Sequence, residues 1–229
     1  MTNPVAAAYL ETYERMVPWL ASLDEEALST QVPACPGWSV KDLVGHLTGI
    51  AVELGSEDVE TGIADADSTA RQVADRADSS ISEVLDEWAR ALPRLLEIVE
   101  VAGSSLTALA IDIWTHEQDA RNAVGQSGGR EGLGRAMALK SAIASDQAVT
   151  AVGLPPMQID TGDKIWYLGK DAREVDPAVT LTVDAYEAAR MLMGRRTYDE
   201  MRALHWKGDP EPYLTFLHRF TVPEQSLAE

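Results

Sequence analysis

The chain has few of the residues that mark several protein classes. Its 229 residues include one cysteine, Cys35, so no disulfide can form within the chain and paired-cysteine zinc and redox motifs are excluded. No apolar run approaches the roughly 20 residues needed to cross a bilayer. The N-terminal segment lacks the basic and apolar regions of a secretory signal. We therefore expect a cytoplasmic protein with no membrane partner.

Positive charge is also scarce. Lysine and arginine number 19 against 37 aspartates and glutamates, which gives a net charge of −18. Such a surface repels the phosphate backbone of nucleic acids and anionic lipid headgroups. We therefore expect no nucleic acid partner. Hydrophobic residues make up 45% of the chain, which is enough to fill a sizeable core.

Apolar residues recur at helical spacing through the first two thirds of the chain. Ser39 is a suitable N-cap for the second helix, and Asp42 stands three residues later as in a capping box. The acidic segment 55–79 is expected to be a loop or a weak helix. Four long helices with apolar stripes predict an antiparallel four-helix bundle. The five predicted helices span residues 4–23, 39–54, 80–101, 105–124 and 131–152.

The pattern changes after residues 154–156, where two prolines follow a leucine. Short β-branched and aromatic runs there predict strands, and further helices follow. The predicted strands are residues 157–160, 164–168 and 179–183, and the predicted helices are residues 184–194, 197–204 and 210–219. The fold class is therefore mainly α, with a helical bundle at residues 1–153 followed by a small α+β domain at residues 154–229.

Histidine is rare, which makes the positions of the four histidines informative. His46 lies beside the apolar stripe of the second helix. Asp112 and His116 lie four residues apart on one face of the fourth helix. Two imidazoles and one carboxylate with an open position form a recurring catalytic zinc site. On spacing alone, a solvated polar face is the alternative, and His205 and His218 are assigned to structure.

Cys35 lies in a turn of two prolines and a glycine, with no histidine beside it in the sequence. A reactive thiol needs an electropositive setting, which the local sequence does not display. We therefore interpret Cys35 as a small turn residue, with a nucleophile as the alternative.

Two motifs resemble those of a known family. The string VPACPGWSVKDLVGHL at residues 32–47 resembles the N-terminal signature of the mycothiol-dependent maleylpyruvate isomerase family, which belongs to the DinB-like superfamily of thiol-dependent metalloenzymes. The string DIWTHEQDAR at residues 112–121 looks like the second signature of that family. The C-terminal stretches at residues 183–196 and 208–210 are similar to its second domain, so the resemblance covers nearly the whole chain.

The resemblance implies a DinB-like bundle in which His46, Asp112 and His116 bind a divalent metal, usually zinc. The family commonly has glutamate at the acidic position, and aspartate is one methylene shorter. A metal bound here would therefore lie closer to the helix or bind more weakly. Glu117 is the rival acidic ligand, but it lies about 100° round the helix from His116. Asp119 is interpreted as an acceptor for the imidazole of His116 or as a solvated residue.

The resemblance also implies an activity. The protein is expected to be a metal-dependent enzyme that uses mycothiol, or another low-molecular-weight thiol, to isomerise a small electrophile or to transfer the thiol to it. Arg195 and Arg196 could bind a carboxylate of such a ligand, although arginines at the surface are the alternative. Trp38 and Trp114 are expected to pack in the core. The rival functions are a non-catalytic metal- or ligand-binding bundle in a stress or regulatory role, and a purely structural protein without metal.

Overall fold

The computed structural model describes residues 3–55, 66–227 and 229, and the chain falls into two units that divide between Gly134 and Arg135. The sequence pattern instead predicts a boundary at residue 153. The difference arises because the helix Ala142–Val152 packs on the strand Ile165–Leu168, which makes it part of the second unit. No helix in the described ranges is long and apolar enough to cross a membrane.

The first unit is helical. Its four long helices are α1 (Pro4–Ala21), α3 (Val40–Gly55), α5 (Ile81–Ala102) and α6 (Thr107–Ala123). They pair as a bundle, with α1 and α3 each packing on both α5 and α6, as the sequence predicted. The acidic segment 55–79 was predicted to be a loop or a weak helix. A short helix forms at Ala66–Ala74, and residues 56–65 lie outside the described residues. The elements are α1 (Pro4–Ala21), α2 (Glu25–Leu28), α3 (Val40–Gly55), α4 (Ala66–Ala74), α5 (Ile81–Ala102), a 3-10 turn (Gly103–Leu106) and α6 (Thr107–Ala123).

The start of α3 is fixed by the predicted capping box. The backbone N–H and hydroxyl of Ser39 both donate to Asp42 Oδ2, at 2.8 and 2.7 Å, and the backbone N–H of Asp42 donates to Ser39 Oγ at 3.2 Å. Because the first residue of the helix is set in this way, His46 falls about two turns inside it, on a buried face.

Glycine at position 49 lets α4 approach α3 closely. A Cβ atom at Gly49 would stand 2.5 Å from both Cβ and Cγ of Gln72, whereas one at Gly45 would meet its nearest neighbour, Arg76 Cβ, at 3.5 Å. The first distance is a clash and the second is an ordinary contact. The α3–α4 pair therefore depends on Gly49 and not on Gly45.

We expect Gly49→Ala to lower the free energy of unfolding by about 1–3 kcal/mol through overpacking. Gly45→Ala is the matched control, and should leave stability unchanged or raise it by up to about 1 kcal/mol because alanine favours the helix. Urea unfolding followed by circular dichroism measures both. Equal effects of the two substitutions would contradict this account of the packing.

The second unit contains a four-stranded sheet of β1 (Met157–Asp160), β2 (Ile165–Leu168), β3 (Val179–Thr182) and β4 (His205–Lys207). The strand order in the sheet is β2-β1-β3-β4. Strand β1 pairs antiparallel with β2 and parallel with β3, and β3 pairs antiparallel with β4. The helices and strands from the boundary onward are α7 (Leu133–Leu139), α8 (Ala142–Val152), β1 (Met157–Asp160), β2 (Ile165–Leu168), β3 (Val179–Thr182), α9 (Ala185–Leu192), α10 (Tyr198–Ala203), β4 (His205–Lys207) and a 3-10 turn (Leu214–Phe216).

Two predictions for this region need correction, and one strand was not predicted. The helix predicted at 131–152 is broken by a turn, because the backbone N–H groups of Lys140 and Ser141 bond three residues back, to Met137 and Ala138. The helix predicted at 210–219 was wrong, and only a 3-10 turn forms there. Its first turn contains two prolines, Pro210 and Pro212, which lack N–H donors. Strand β4 was not predicted.

Candidate metal centre

His46 is 7% exposed and its ring is held by α4. Its Nδ1 lies 2.8 Å from Oε1 of Gln72, and Nε2 of Gln72 donates to Oε2 of Glu53 at 2.5 Å. Because the amide nitrogen of Gln72 donates to the carboxylate of Glu53, the amide oxygen faces the imidazole of His46. His46 therefore donates from Nδ1, which leaves the lone pair of Nε2 free for a ligand.

His116 is oriented in the same way by its own helix. Its Nδ1 donates to Oδ2 of Asp119 at 3.1 Å, and the Asp119 side chain is fully buried. The acceptor role that the sequence suggested for Asp119 is therefore present, and the solvated alternative was wrong. A carboxylate behind a histidine fixes the tautomer and raises the basicity of the other ring nitrogen. His116 thus also presents Nε2.

The two Nε2 atoms converge on Asp112. Nε2 of His46 lies 3.8 Å from Asp112 Oδ2, and Nε2 of His116 lies 3.5 Å from Asp112 Oδ1. The three ligand atoms lie within 4.8 Å of one another, and two ligands of a tetrahedral zinc ion stand about 3.3 Å apart. Oδ2 of Asp112 is buried and accepts no hydrogen bond from the described part of the chain. This donor set fits a divalent metal with an open position.

The two histidines differ in their affinity for protons. Burial lowers the pKa of His46 below its ordinary value, against a smaller opposing effect of Asp112. Burial alone would also lower the pKa of His116, but the Asp112 charge and the Asp119 hydrogen bond together hold it well above its ordinary value. A proton therefore competes with a metal more strongly at His116 than at His46.

The loop before α3 carries two side chains to this centre. Hydrogen bonds between Val32, Cys35 and Trp38 close the loop, and Gly37 adopts a φ of 87°, a left-handed conformation that suits glycine. The Trp38 ring lies 5.1 Å from the His46 ring and 6.4 Å from the His116 ring. Trp38 therefore forms a wall of the site, contrary to the expectation that it packs only in the core.

Cys35 lies next to a histidine that is 81 residues away in sequence. Its Sγ stands 3.8 Å from Nδ1 of His116 and 3.9 Å from Oδ2 of Asp119, so these three residues form a second group that could hold a metal. In a catalytic triad the nucleophile and the acid contact opposite nitrogens of the histidine. Here both contact Nδ1, so the geometry does not form a triad.

Glu117, the rival acidic ligand, does not face the centre. Its carboxylate is fully buried and accepts hydrogen bonds from Arg15 at 2.6–3.1 Å and from Nε of Arg121 at 3.0 Å. It therefore forms a structural ion-pair cluster. Trp114 is fully buried, as expected, and donates from Nε1 to the carbonyl of Gly129.

The two candidate ligand-binding arginines lie in the second unit. Arg196 donates to Glu187 at 2.6 and 2.7 Å and to Glu229 at 2.7 Å, so carboxylates of its own chain neutralise it. Arg195 donates to the carbonyl of Met193 and lies over the Phe220 ring. The role expected for Arg196 as a ligand of a cosubstrate carboxylate has no support in this geometry, and that for Arg195 stays a prediction.

Sequence reasoning missed Gln72. The available signal was a polar stripe in the acidic segment: Ser68, Gln72 and Arg76 are four residues apart, and all three are buried. Composition alone does not show this spacing, so it did not indicate a buried polar stripe. No feature of the sequence near Cys35 or His116 indicates that these two residues are in contact, because they lie 81 residues apart.

Comparisons with known proteins agree with the fold. Residues 10–121 match the family model described as the mycothiol maleylpyruvate isomerase N-terminal domain. The structure is similar to a crystal structure of a histidine-to-alanine mutant of the mycothiol-dependent maleylpyruvate isomerase (TM-score 0.58, 12% identity, 86% of this chain and 90% of that one). A second crystal structure of that isomerase gives a TM-score of 0.53 at 12% identity over 83% and 88%. Identity this low shows a shared fold alone. No curated protein matches the sequence significantly.

Proposed function

We propose, from the match of residues 10–121 to the mycothiol maleylpyruvate isomerase N-terminal domain, that the chain is a thiol-dependent isomerase with a divalent metal bound by His46, Asp112 and His116. Mycothiol is the proposed cosubstrate and a small conjugated electrophile such as maleylpyruvate is the proposed substrate. Zinc is the proposed metal because two imidazoles and one carboxylate are typical ligands of catalytic zinc. A cytoplasmic location stays a prediction.

One observation carries the proposal. Two imidazoles present Nε2 to the same carboxylate, and each has a partner on Nδ1 that fixes this tautomer. The buried Oδ2 of Asp112 has no hydrogen-bond donor among the described residues, which would be costly without a cation. A divalent metal bound there would lower the pKa of a coordinated thiol, so that the thiolate is available near neutral pH.

The side chains around the centre support this chemistry. The Asp112 side chain is 30% exposed, so the centre has a side that is open to solvent and to small molecules. The Trp38 ring lies beside both imidazoles and supplies an apolar surface there. The thiolate would add to a carbon of the conjugated double bond, rotation would follow about the resulting single bond, and elimination would restore both the double bond and the thiol. The thiol is thus not consumed in an isomerisation.

The test uses protein stripped of metal and protein reloaded with one equivalent of Zn²⁺. Each is mixed with maleylpyruvate and mycothiol, and the conversion and the free thiol are followed together. We expect conversion only with both metal and mycothiol present, and no net loss of thiol. Loss of one thiol per substrate would indicate an S-transferase. Bound metal without turnover against a panel of electrophiles would contradict the proposal and favour a non-catalytic ligand-binding bundle.

Metal binding should weaken as the pH is lowered. The pKa of His116 is raised above its ordinary value, so below that pKa a proton competes with the metal and the apparent affinity falls by up to about tenfold per pH unit. Above that pKa the competition disappears. Zn²⁺ titrations at pH 6, 7 and 8 in buffers of different ionisation enthalpy measure the affinity and the protons released. An affinity that does not change with pH, with no proton released, would contradict this expectation.

A further inference from the structure

We infer that Gln72 on α4 and Glu53 on α3 are positioning residues that fix the tautomer of His46, and that helix α4 serves to hold Gln72 in place. The inference rests on the proposed function for its purpose, since a fixed tautomer matters only if His46 binds a metal. The geometry that carries it is independent of any metal. None of the sequence motifs that point to the metal ligands includes either residue.

The carboxylate of Glu53 sets the direction of each hydrogen bond in this series of contacts. Nη2 of Arg71 donates to Glu53 Oε1 at 3.2 Å, and Nε2 of Gln72 donates to Glu53 Oε2 at 2.5 Å. A carboxylate can only accept, so the amide of Gln72 cannot be reversed without bringing two acceptor oxygens together. Its Oε1 must therefore accept from Nδ1 of His46.

Helix α4 and the turn that follows it are attached to the bundle at several points, which keeps Gln72 in place. Nε and Nη2 of Arg76 bind both carboxylate oxygens of Glu87 on α5 at 2.8 and 2.7 Å, and Nη1 of Arg76 donates to the carbonyl of Gln72. Nζ of Lys41 donates to the carbonyl of Ala77 at 2.7 Å. Gln72 itself rests on Gly49, where no side chain intervenes. The side chain that orients His46 is thus 4% exposed and held from both sides.

The experiment reads the tautomer of His46 directly. Long-range ¹H–¹⁵N NMR of the metal-free protein at pH 7.5 distinguishes a proton on Nδ1 from one on Nε2. We expect Nδ1–H in the wild-type protein and a mixture or Nε2–H in Gln72→Met, which keeps the size of the side chain but removes the acceptor. The control is Gln118→Met, since Gln118 is 2% exposed and donates to the carbonyl of Gly129, a contact that does not involve His46. Circular dichroism verifies that each variant is folded.

Exchange of the two groups supplies a rescue. The single variant Glu53→Gln removes the carboxylate that fixes the orientation of the Gln72 amide, and should give a mixture of His46 tautomers. The double variant Glu53→Gln with Gln72→Glu returns one carboxylate and one amide to the pair and supplies His46 with an acceptor again. We expect the double variant to restore Nδ1–H. Such a recovery would not follow from a merely structural role of either side chain.

Zn²⁺ affinity measured by chelator competition on the same proteins separates this inference from the proposed function. Gln72→Met should bind Zn²⁺ about 10–100-fold more weakly than the wild type, and Gln118→Met equally well. If the wild-type protein has Nδ1–H but takes up no Zn²⁺, the proposed function is contradicted and the tautomer assignment is still supported. Wild-type protein with Nε2–H, or Gln72→Met with unchanged tautomer and unchanged affinity, would overturn the inference.

Discussion

His46→Ala and His116→Ala should each abolish stoichiometric metal binding while the helical bundle remains folded. Each substitution removes one of three ligands, and structural zinc sites gain about 3–4 kcal/mol per ligand, so the affinity should fall on the order of a hundredfold to a thousandfold. The fold should survive because both rings lie at the margin of the core, at 7% and 8% exposure, and the apolar stripes that join the helices are untouched.

Elemental analysis of untagged protein, together with circular dichroism, measures both parts of this prediction. His205→Ala is a suitable control, since His205 lies in the exposed strand β4 of the second unit. If both His46 and His116 variants keep one full equivalent of metal, the ligand assignment is wrong. If either variant is unfolded when no metal is bound, the histidines have a structural role that the geometry does not indicate.

Glu117→Gln should have the opposite pattern, with a large loss of stability and retention of the metal. The fully buried carboxylate of Glu117 is shared by Arg15 and Arg121, and its removal leaves Arg121 without this charged partner and Arg15 with the 3.5 Å contact to Glu11. Breaking a buried ion pair in this way costs about 3–5 kcal/mol. Chemical unfolding measures the loss, and metal analysis under native conditions tests whether the centre is intact.

Asp112→Asn is the matched substitution for this comparison, because it changes a carboxylate to an amide in the same helix, five residues earlier. It should lose the metal and leave the unfolding of the metal-free protein nearly unchanged, since Asp112 is half-buried and its Oδ2 lacks a hydrogen-bond donor in the described structure. The reverse pattern, with the metal lost in Glu117→Gln and kept in Asp112→Asn, would assign the acidic ligand to Glu117.

The features that sequence reasoning predicted correctly are local ones. The four long helices follow from apolar residues at helical spacing, and the start of α3 follows from Ser39 and Asp42. The three strands Met157–Asp160, Ile165–Leu168 and Val179–Thr182 follow from short β-branched and aromatic runs. The pairing of Asp112 with His116 follows from the i, i+4 geometry of one helix.

The features that were missed depend on how distant segments meet. Arg15 and Glu117 are 102 residues apart, and Cys35 and His116 are 81 apart, so no periodic pattern relates them. Gln72 lies in an acidic segment whose composition predicts a loop or a weak helix, and part of it forms α4. The polar stripe of α4 is buried because Gly49 leaves room for Gln72, which composition does not indicate. The helix predicted at 210–219 does not form because its first turn contains Pro210 and Pro212, which lack N–H donors.

The most direct test of the central claim is X-ray absorption spectroscopy at the zinc edge on protein loaded with one equivalent of Zn²⁺, with no thiol added. The assignment of His46, Asp112 and His116 predicts a first shell of nitrogen and oxygen only, at about 2.0–2.2 Å, with imidazole signals. The neighbouring group of Cys35, His116 and Asp119 would instead give a sulfur ligand at about 2.3 Å. A sulfur ligand in that spectrum, or a protein that binds no zinc, would contradict the account.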